Sequence, residues 1–490
     1  MPPMVPRLNA PQKNRSRSFA FRVARVMWSV VGVLLVGTGL MSPSRAAAAV
    51  PTSSRPNLLV VVTDDQRFDS LGCTGNRHIQ TPEIDRLARD GVRFQNAFVT
   101  TPICCASRAS LLTGQYARRH GIEDFVRDLT PARWAETYPA LLRQAGYRVG
   151  FVGKFGVGDA ASIARRAVDF DFWRGRPGQA GVLFIEPSDP ARRHTTARMG
   201  DEALEFLSGC TNGTPFCLSI SFNAPHARDG QAREFEPDPR DEALYATDRL
   251  PFSASATDAE FARMVPWVRE SEARRRWTPR FATDALAQAT LKDYYRLVTG
   301  IDREVGRIRA ELGRRGLADS TVIVFTSDNG WFAGEHGLAD KWFPYEESIR
   351  VPLILFDPRL PSSRRGRVVD ALALNLDLAP TLLDWAGIPR PERMQGRSLV
   401  PWTERRAPRS WRTDFLIEHH FQHASIPSSE GVRDQRWSYF RWLEPNPDRD
   451  ELYDLVRDPL QQRDLMLAGP PQKVLERLRL RLQELTEQAR

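Results

Sequence analysis

Residues 57–65 read Asn57-Leu58-Leu59-Val60-Val61-Val62-Thr63-Asp64-Asp65, a continuous apolar run that stops at two adjacent carboxylates. With no polar alternation, it predicts a strand buried on both faces, the kind found in a sheet covered by helices. Residues 148–153, 215–222 and 321–327 repeat the pattern, and 351–356 make a fifth run. Helical patterns lie between them. One spans residues 82–90, with Thr81 as cap, Pro82 in the first turn and Gly91 just beyond the end. Another covers 137–145 and stops at Gly146. Strand, turn and helix in alternation predict an α/β sheet.

A chain of 490 residues has room for one large domain and a smaller appendage. From about residue 404 the pattern changes to short aromatic strands, 437–442 among them, and then to a tail with Val474, Leu475, Leu478, Leu482 and Leu485 on one helical face. The reading is a main domain over 50–403 and a C-terminal subdomain over 404–490, an antiparallel sheet covered by a helix. Residues 227–290 lack clear periodicity and read as a long insertion at the edge of the sheet, where selectivity is commonly set.

The formal charge of +9 invites a nucleic-acid partner, but seven basic residues and no acid fall within residues 1–49. The remainder carries about +2, too little for a phosphate-backbone footprint, so no nucleic acid is expected. That same stretch has a basic region up to Arg25, an apolar run over 26–41 and small residues at 46–49, the layout of a signal peptide. Export to the periplasm or the extracellular space follows, with no stable membrane span after cleavage. Retention as an anchor is the alternative, against which the run is short and broken by Ser29, Gly32, Thr38 and Gly39. Of five cysteines, Cys210 and Cys217 flank a turn and are read either as a bridge or as two buried thiols.

Ligands of such sheets bind beyond the carboxyl ends of the strands. There the sequence places Asp64 and Asp65, Lys154, His226, and Asp328 with Asn329. Three carboxylates on one rim repel unless a cation sits among them, and oxygen ligands select Ca²⁺ or Mg²⁺ over zinc. Asp-Asp after one strand alone reads as a cap or solvated turn; its recurrence as Asp328-Asn329-Gly330 favours a metal site. Only five lysines occur in the chain, and two of them, Lys154 and Lys341, fall at motif positions. A compact ammonium can approach a tetrahedral oxyanion as a point charge.

The most specific segment is Cys104-Cys105-Ala106-Ser107-Arg108, continued by Ala109 to Gly114 in a helical pattern. It resembles the signature of the type I, formylglycine-dependent sulfatases of the alkaline phosphatase-like superfamily. Asp64-Asp65-Gln66-Arg67, Gly153-Lys154, Ala224-Pro225-His226, Ser327-Asp328-Asn329-Gly330, Gly334-Glu335-His336-Gly337, Lys341 and Glu451-Leu452-Tyr453-Asp454-Leu455 extend the resemblance over most of the chain. The resemblance implies a large mixed sheet flanked by helices with a smaller C-terminal antiparallel sheet. It also implies oxidation of Cys104 to formylglycine by a formylglycine-generating enzyme, the hydrated aldehyde then supplying the attacking oxygen. Asp64, Asp65, Asp328 and Asn329 would hold Ca²⁺, in preference to Mg²⁺, together with the modified Cys104. Lys154, His226 and Lys341 would grip the sulfate, with His336 grouped among them, and Arg108 would support the nucleophile.

The implied activity is hydrolysis of sulfate esters, on sulfated carbohydrates for an exported enzyme. A formylglycine-dependent phosphomonoester or phosphonate-ester hydrolase is the rival enzyme, and a non-catalytic binder of sulfated glycans is the reading if Cys104 is unmodified. Two positions depart from the family pattern. Ala106 stands where proline is commonest, and Gly156 stands where many relatives have a histidine two residues after the lysine, leaving that role to His336 or Asp328.

Overall fold

A computed structural model describes residues 55–490 except 179–183, 185–192, 212, 405–406 and 446–448. The predicted signal segment, 1–49, lies outside the described residues. Among those described, no helix is long and apolar enough to cross a membrane.

The run that decides the fold forms the strand Asn57–Thr63, and every residue of it is buried. It lies inside an eight-stranded sheet, paired in parallel with Phe216–Ser221 on one side and Thr321–Ser327 on the other. Val60 faces Ser219 and Val324 across these pairings, and Thr63 is level with Ser327. Arg148–Lys154 adds in parallel beside Phe216–Ser221, followed by Phe172–Arg176. Five parallel strands in register therefore end at one edge and deliver the residues at and beyond their ends to the same side of the sheet.

The fifth run departs from its neighbours in direction. Leu353–Phe356 is antiparallel both to Thr321–Ser327 and to Val92–Phe94, and Arg367–Val369 closes that side. The chain leaves Ser327 at the carboxyl edge, reaches Leu353 with only short elements between, and re-enters from that edge; without a crossover helix it must run back.

Residues 227–290 are more ordered than their sequence predicts. They hold helices Asp258–Arg263, Pro266–Arg269 and Glu272–Phe281 and the start of Asp284–Arg314. The last, 31 residues long, is capped by Thr283 and buries Leu291, Tyr294, Val298, Ile301, Val305, Ile308 and Leu312 along one stripe.

The C-terminal sheet is the predicted antiparallel one, a meander of Asp414–His419, Ser429–Asp434, Trp437–Trp442 and Asp450–Asp454. Helix Gln472–Ala489 covers it, burying Leu475, Leu478, Leu482 and Leu485 against Leu416, Val432, Tyr439 and Leu452, while Val474 sits at the margin. Each such leucine contributes about 1.5–3 kcal/mol over an exposed one. All five cysteines are free, so Cys210 and Cys217 are buried thiols rather than a bridge.

Candidate active site

The carboxyl edge of the sheet carries Asp64 and Asp65 after one strand, Lys154 as the last residue of another, and Asp328 with Asn329 after a third. His226 follows a short turn beyond Ser221. Cys104 opens helix Cys104–Thr113, all ten residues of which are buried. Small side chains at Cys105, Ala106 and Ala109 let this helix sit within the main core. Ligand atoms of Asp64, Asp65, Cys104 and His226 all lie within 4.8 Å of one another.

Charge inside this group is balanced pair by pair. Lys154 Nζ lies 2.6 Å from Asp64 Oδ2, and Lys341 Nζ 2.5 Å from Asp65 Oδ2. Arg108 Nε donates to Asp328 Oδ2 at 2.7 Å, its Nη1 donates to the Lys154 carbonyl and to Ser221 Oγ, and its Nη2 is 3.6 Å from Asp64. Three carboxylates and three cations are thus buried together, which is tolerable only because each is paired. Asn329 Nδ2 donates to Asp65 Oδ1 at 3.2 Å and toward Cys104 Sγ at 3.5 Å, while its Oδ1 is buried without a hydrogen-bond partner. Asp65 takes a left-handed backbone, φ 62°, and its N–H donates to Asp328 Oδ1. Such strain in a non-glycine residue collects at functional sites.

Burial would raise the pKa of Asp64, but Lys154, Arg108 and Lys341 together outweigh it and hold the carboxyl below its usual range. Asp65 is pushed up to about 8 by burial, with Asp64 and Asp328 adding to the rise and Lys341 only partly offsetting it. Three carboxylates crowded so closely that one of them is pushed toward its protonated form, with an orphaned amide oxygen beside them, fit a divalent cation bound by oxygen. The Cys104 thiol is pushed up to about 12, chiefly by burial. It is protonated at neutral pH, so Cys104 as cysteine is neither a ready nucleophile nor a redox thiolate.

His226 Nδ1 donates to the Ala227 carbonyl at 2.6 Å, and Nε2 is 3.4 Å from Asp65 Oδ2. Burial, reinforced by Lys341 and Lys154, keeps the ring neutral, well below the usual histidine range. His336 is not brought into this group. It stacks on Tyr345 at 5.1 Å and lines a different cavity, with Glu451 and Tyr453.

Gly156 has φ +74°, and a Cβ there would lie 2.6 Å from Arg108 Cδ. The space a histidine at this position needs is filled by the stem of Arg108. Gly156→His is therefore expected to displace Arg108 and destabilise the protein by about 1–3 kcal/mol, with lost rather than restored activity. Thermal melts and steady-state rates of the variant check this; a stable, faster enzyme contradicts it.

Above Cys104, Lys154, Gly156, His226 and Lys341 opens a cavity of about 480 Å³. Its outer wall includes Phe125, Asp159, Asp229, Glu272, Arg276, Trp342, Phe421 and His423. Sequence reasoning missed these. It also missed Asp340, whose carboxylate accepts from Arg276 at 2.8 Å and Arg280 at 2.7 Å. Asp340 and Trp342, at φ 68° and 87°, flank Lys341, so the arginine pair holds the strained segment that carries it. The pairing Asp340-Lys341 was visible in the sequence, but nothing pointed to arginines some sixty residues away.

The family model for Sulfatase matches residues 56–388, and that for the C-terminal part of N-sulphoglucosamine sulphohydrolase matches 334–488. The chain is 28% identical to N-acetylglucosamine-6-O-sulfatase of Bacteroides thetaiotaomicron, over 92% of this chain and 90% of that protein. It is 28% identical to an arylsulfatase of Clostridium perfringens, over 87% and 93%. A solved structure in complex with its substrate D-glucosamine-2-N,6-O-disulfate superposes with a TM-score of 0.76 at 26% identity, covering 89% of this chain and 98% of that one. The phosphonate monoester hydrolase of Agrobacterium radiobacter shares the fold, with a TM-score of 0.74 at 22% identity, over 89% and 96%.

Proposed function

The chain belongs to the sulfatase family of sulfuric ester hydrolases, and on that premise we propose that it is exported and cleaves sulfate esters of carbohydrates with formylglycine made from Cys104. The observation that carries this reading is the setting of Cys104. A protonated, buried thiol heads a helix 3.7 Å from Asp64 and beside Asn329 and Lys154, a place with no use for sulfur but suited to an oxygen nucleophile beside a cation. Residues 50–403 would form the catalytic part and 404–490 the C-terminal part.

Asp64, Asp65, Asp328 and Asn329 would hold Ca²⁺ beside residue 104. When formed and hydrated, formylglycine supplies the attacking oxygen, and the cation neutralises charge on the sulfate. The chain's own residues do the rest. Lys154 and Lys341 present ammoniums to the transferring group, and each also pairs with an acid, Asp64 or Asp65. Arg108 spans Asp328 and Asp64 and so fixes two of the proposed cation ligands relative to the helix that carries Cys104.

His226 is the proposed general acid. Its Nδ1 is committed to Ala227, so only a protonated Nε2 can donate to a leaving alkoxide, and an incoming sulfate supplies the negative charge that favours that proton. His226→Ala is expected to slow a sugar sulfate about 10²- to 10⁴-fold, and nitrophenyl sulfate, whose leaving group departs almost unaided, far less. Equal losses on both substrates would make His226 a binding group only.

The shared fold of a phosphonate monoester hydrolase keeps one rival reading in view. Rates on matched aryl sulfate and aryl phosphate separate the two, and kcat/KM is expected to favour sulfate by at least about ten-fold. A reversed preference would overturn the sulfatase reading of this site.

A further inference from the structure

The cavity over Cys104 is sorted by charge. At its base, Lys154 and Lys341 have side chains only 1% and 3% exposed. Among the described residues, the lining toward solvent carries three carboxylates, Asp159, Asp229 and Glu272, and one guanidinium, Arg276. Arg276 lies 2.7 Å from Asp229, 2.9 Å from Glu272 and 2.8 Å from Asp340, while Arg280 adds a 2.7 Å pair to Asp229 and Arg275 a 3.4 Å pair to Glu272, so among the described lining residues Asp159 is the carboxylate outside this ion-pair network. Asp159 is exposed and caps helix Ala160–Arg165, accepting from Ser162 N–H at 2.7 Å. The opposite lip is aromatic. Phe125, 41% exposed, meets Phe421 edge-on at 5.7 Å, and Phe421 stacks on His423 at 5.9 Å. Phe125 comes from the loop after the helix Ala117–His120, Phe421 and His423 from the loop after Asp414–His419, and Glu272 and Arg276 from the insertion.

Resting on the sulfatase reading above, we propose that this pocket selects a singly sulfated sugar ring with no second anionic group. One sulfate is drawn to the lysines at the base. The ring beyond it lies against the Phe125–Phe421 lip, and a further sulfate or carboxylate would face Asp159 at the open rim, where like charges repel. Asp159 and Phe421 are then specificity-determining residues contributed by two separate parts of the chain. The rim is open to water, so its selectivity weakens as salt rises, on a Debye length of about 8 Å near physiological ionic strength.

The test compares N-acetyl-D-glucosamine 6-sulfate with D-glucosamine-2-N,6-O-disulfate, measuring 6-O-desulfation of each. The full-length enzyme is expected to favour the first by about ten-fold in kcat/KM, less at high salt. Asp159→Asn keeps a side chain as good as aspartate for capping the helix and removes the charge. It should narrow the preference roughly two- to five-fold, chiefly by raising kcat/KM on the disulfate. Phe421→Ala should raise KM for both sugars several-fold with kcat little altered, and Phe421→Trp should restore it. A preference for the disulfate, or a ratio indifferent to both Asp159→Asn and salt, overturns the proposal. If neither sugar is turned over, Cys104→Ala protein titrated calorimetrically with the same pair still reports the affinity ratio. A ten-fold preference in binding there supports the charge-sorted pocket while the catalytic reading fails, and equal affinities overturn the pocket as well.

Discussion

Replacing Cys104 with alanine is expected to abolish turnover, with a loss on the order of 10⁴-fold or more, because the change removes the atom from which the nucleophile is made. The fold should survive. Among the described residues, Asp64 Oδ1 and Asn329 Nδ2 are the polar partners of the thiol, and deleting one sulfur atom leaves a space costing about 1 kcal/mol. Cys105 is the control. It is fully buried within the main core, and its thiol is also pushed upward by burial. Cys105→Ala should therefore cost stability slightly and keep activity. Loss of activity in the Cys105 variant with residue 104 still oxidised would assign the nucleophile to the wrong cysteine. Rates together with melting temperatures of both variants decide the matter.

Removing the divalent cation should have an effect of similar size, and a reversible one. Chelation is expected to bring sulfate-ester hydrolysis to background, and Ca²⁺ to restore it better than Mg²⁺ because its coordination is looser. A readout independent of catalysis comes from the titration of Asp65. Its pKa in the folded, metal-free protein is raised to about 8, against an ordinary aspartate value near 3.8. The folded state therefore holds a proton that the unfolded state has released between these values, and this contribution to stability is lost as pH rises toward 8. A bound cation requires the deprotonated acid and reverses that loss. The gain in melting temperature on adding Ca²⁺ to chelated protein is thus expected to be larger at pH 8 than at pH 6, with protons released on binding. A pH-independent gain, or rescue specific to zinc, contradicts an oxygen-ligated site.

The parts of this protein that were legible in the sequence are those whose residues answer to one local constraint. Asn57–Thr63 and Thr321–Ser327 read as strands because both faces of each are buried and no polar residue interrupts them. Their carboxylates fall together because parallel neighbours end at one edge, so Asp64 and Asp328 could be paired before any coordinates. The direction of Leu353–Phe356 was not legible, since it depends on which edge the chain re-enters from. Helix Glu272–Phe281 was hidden by Arg274, Arg275, Arg276 and Pro279, which leave no apolar stripe to read. Its arginines are ion partners, with Arg276 and Arg280 clamping Asp340, and a pairing across so long a stretch leaves no mark in spacing. The aromatic lip was invisible for the same reason, since Phe125 and Phe421 meet only through the tertiary fold. Gly156 was noticed as a missing histidine, but only the approach of Arg108 explains why a side chain does not fit there.

The most direct test of the central claim is the mass of the tryptic peptide 94–108 from the protein as exported by its own host, with its maturation machinery intact. Conversion of Cys104 to formylglycine exchanges sulfur and two hydrogens for one oxygen, and fragmentation places the change at residue 104 or 105. The account predicts an aldehyde, or its hydrate, at 104 and an unchanged cysteine at 105. Active protein whose residue 104 is wholly unmodified cysteine would contradict it.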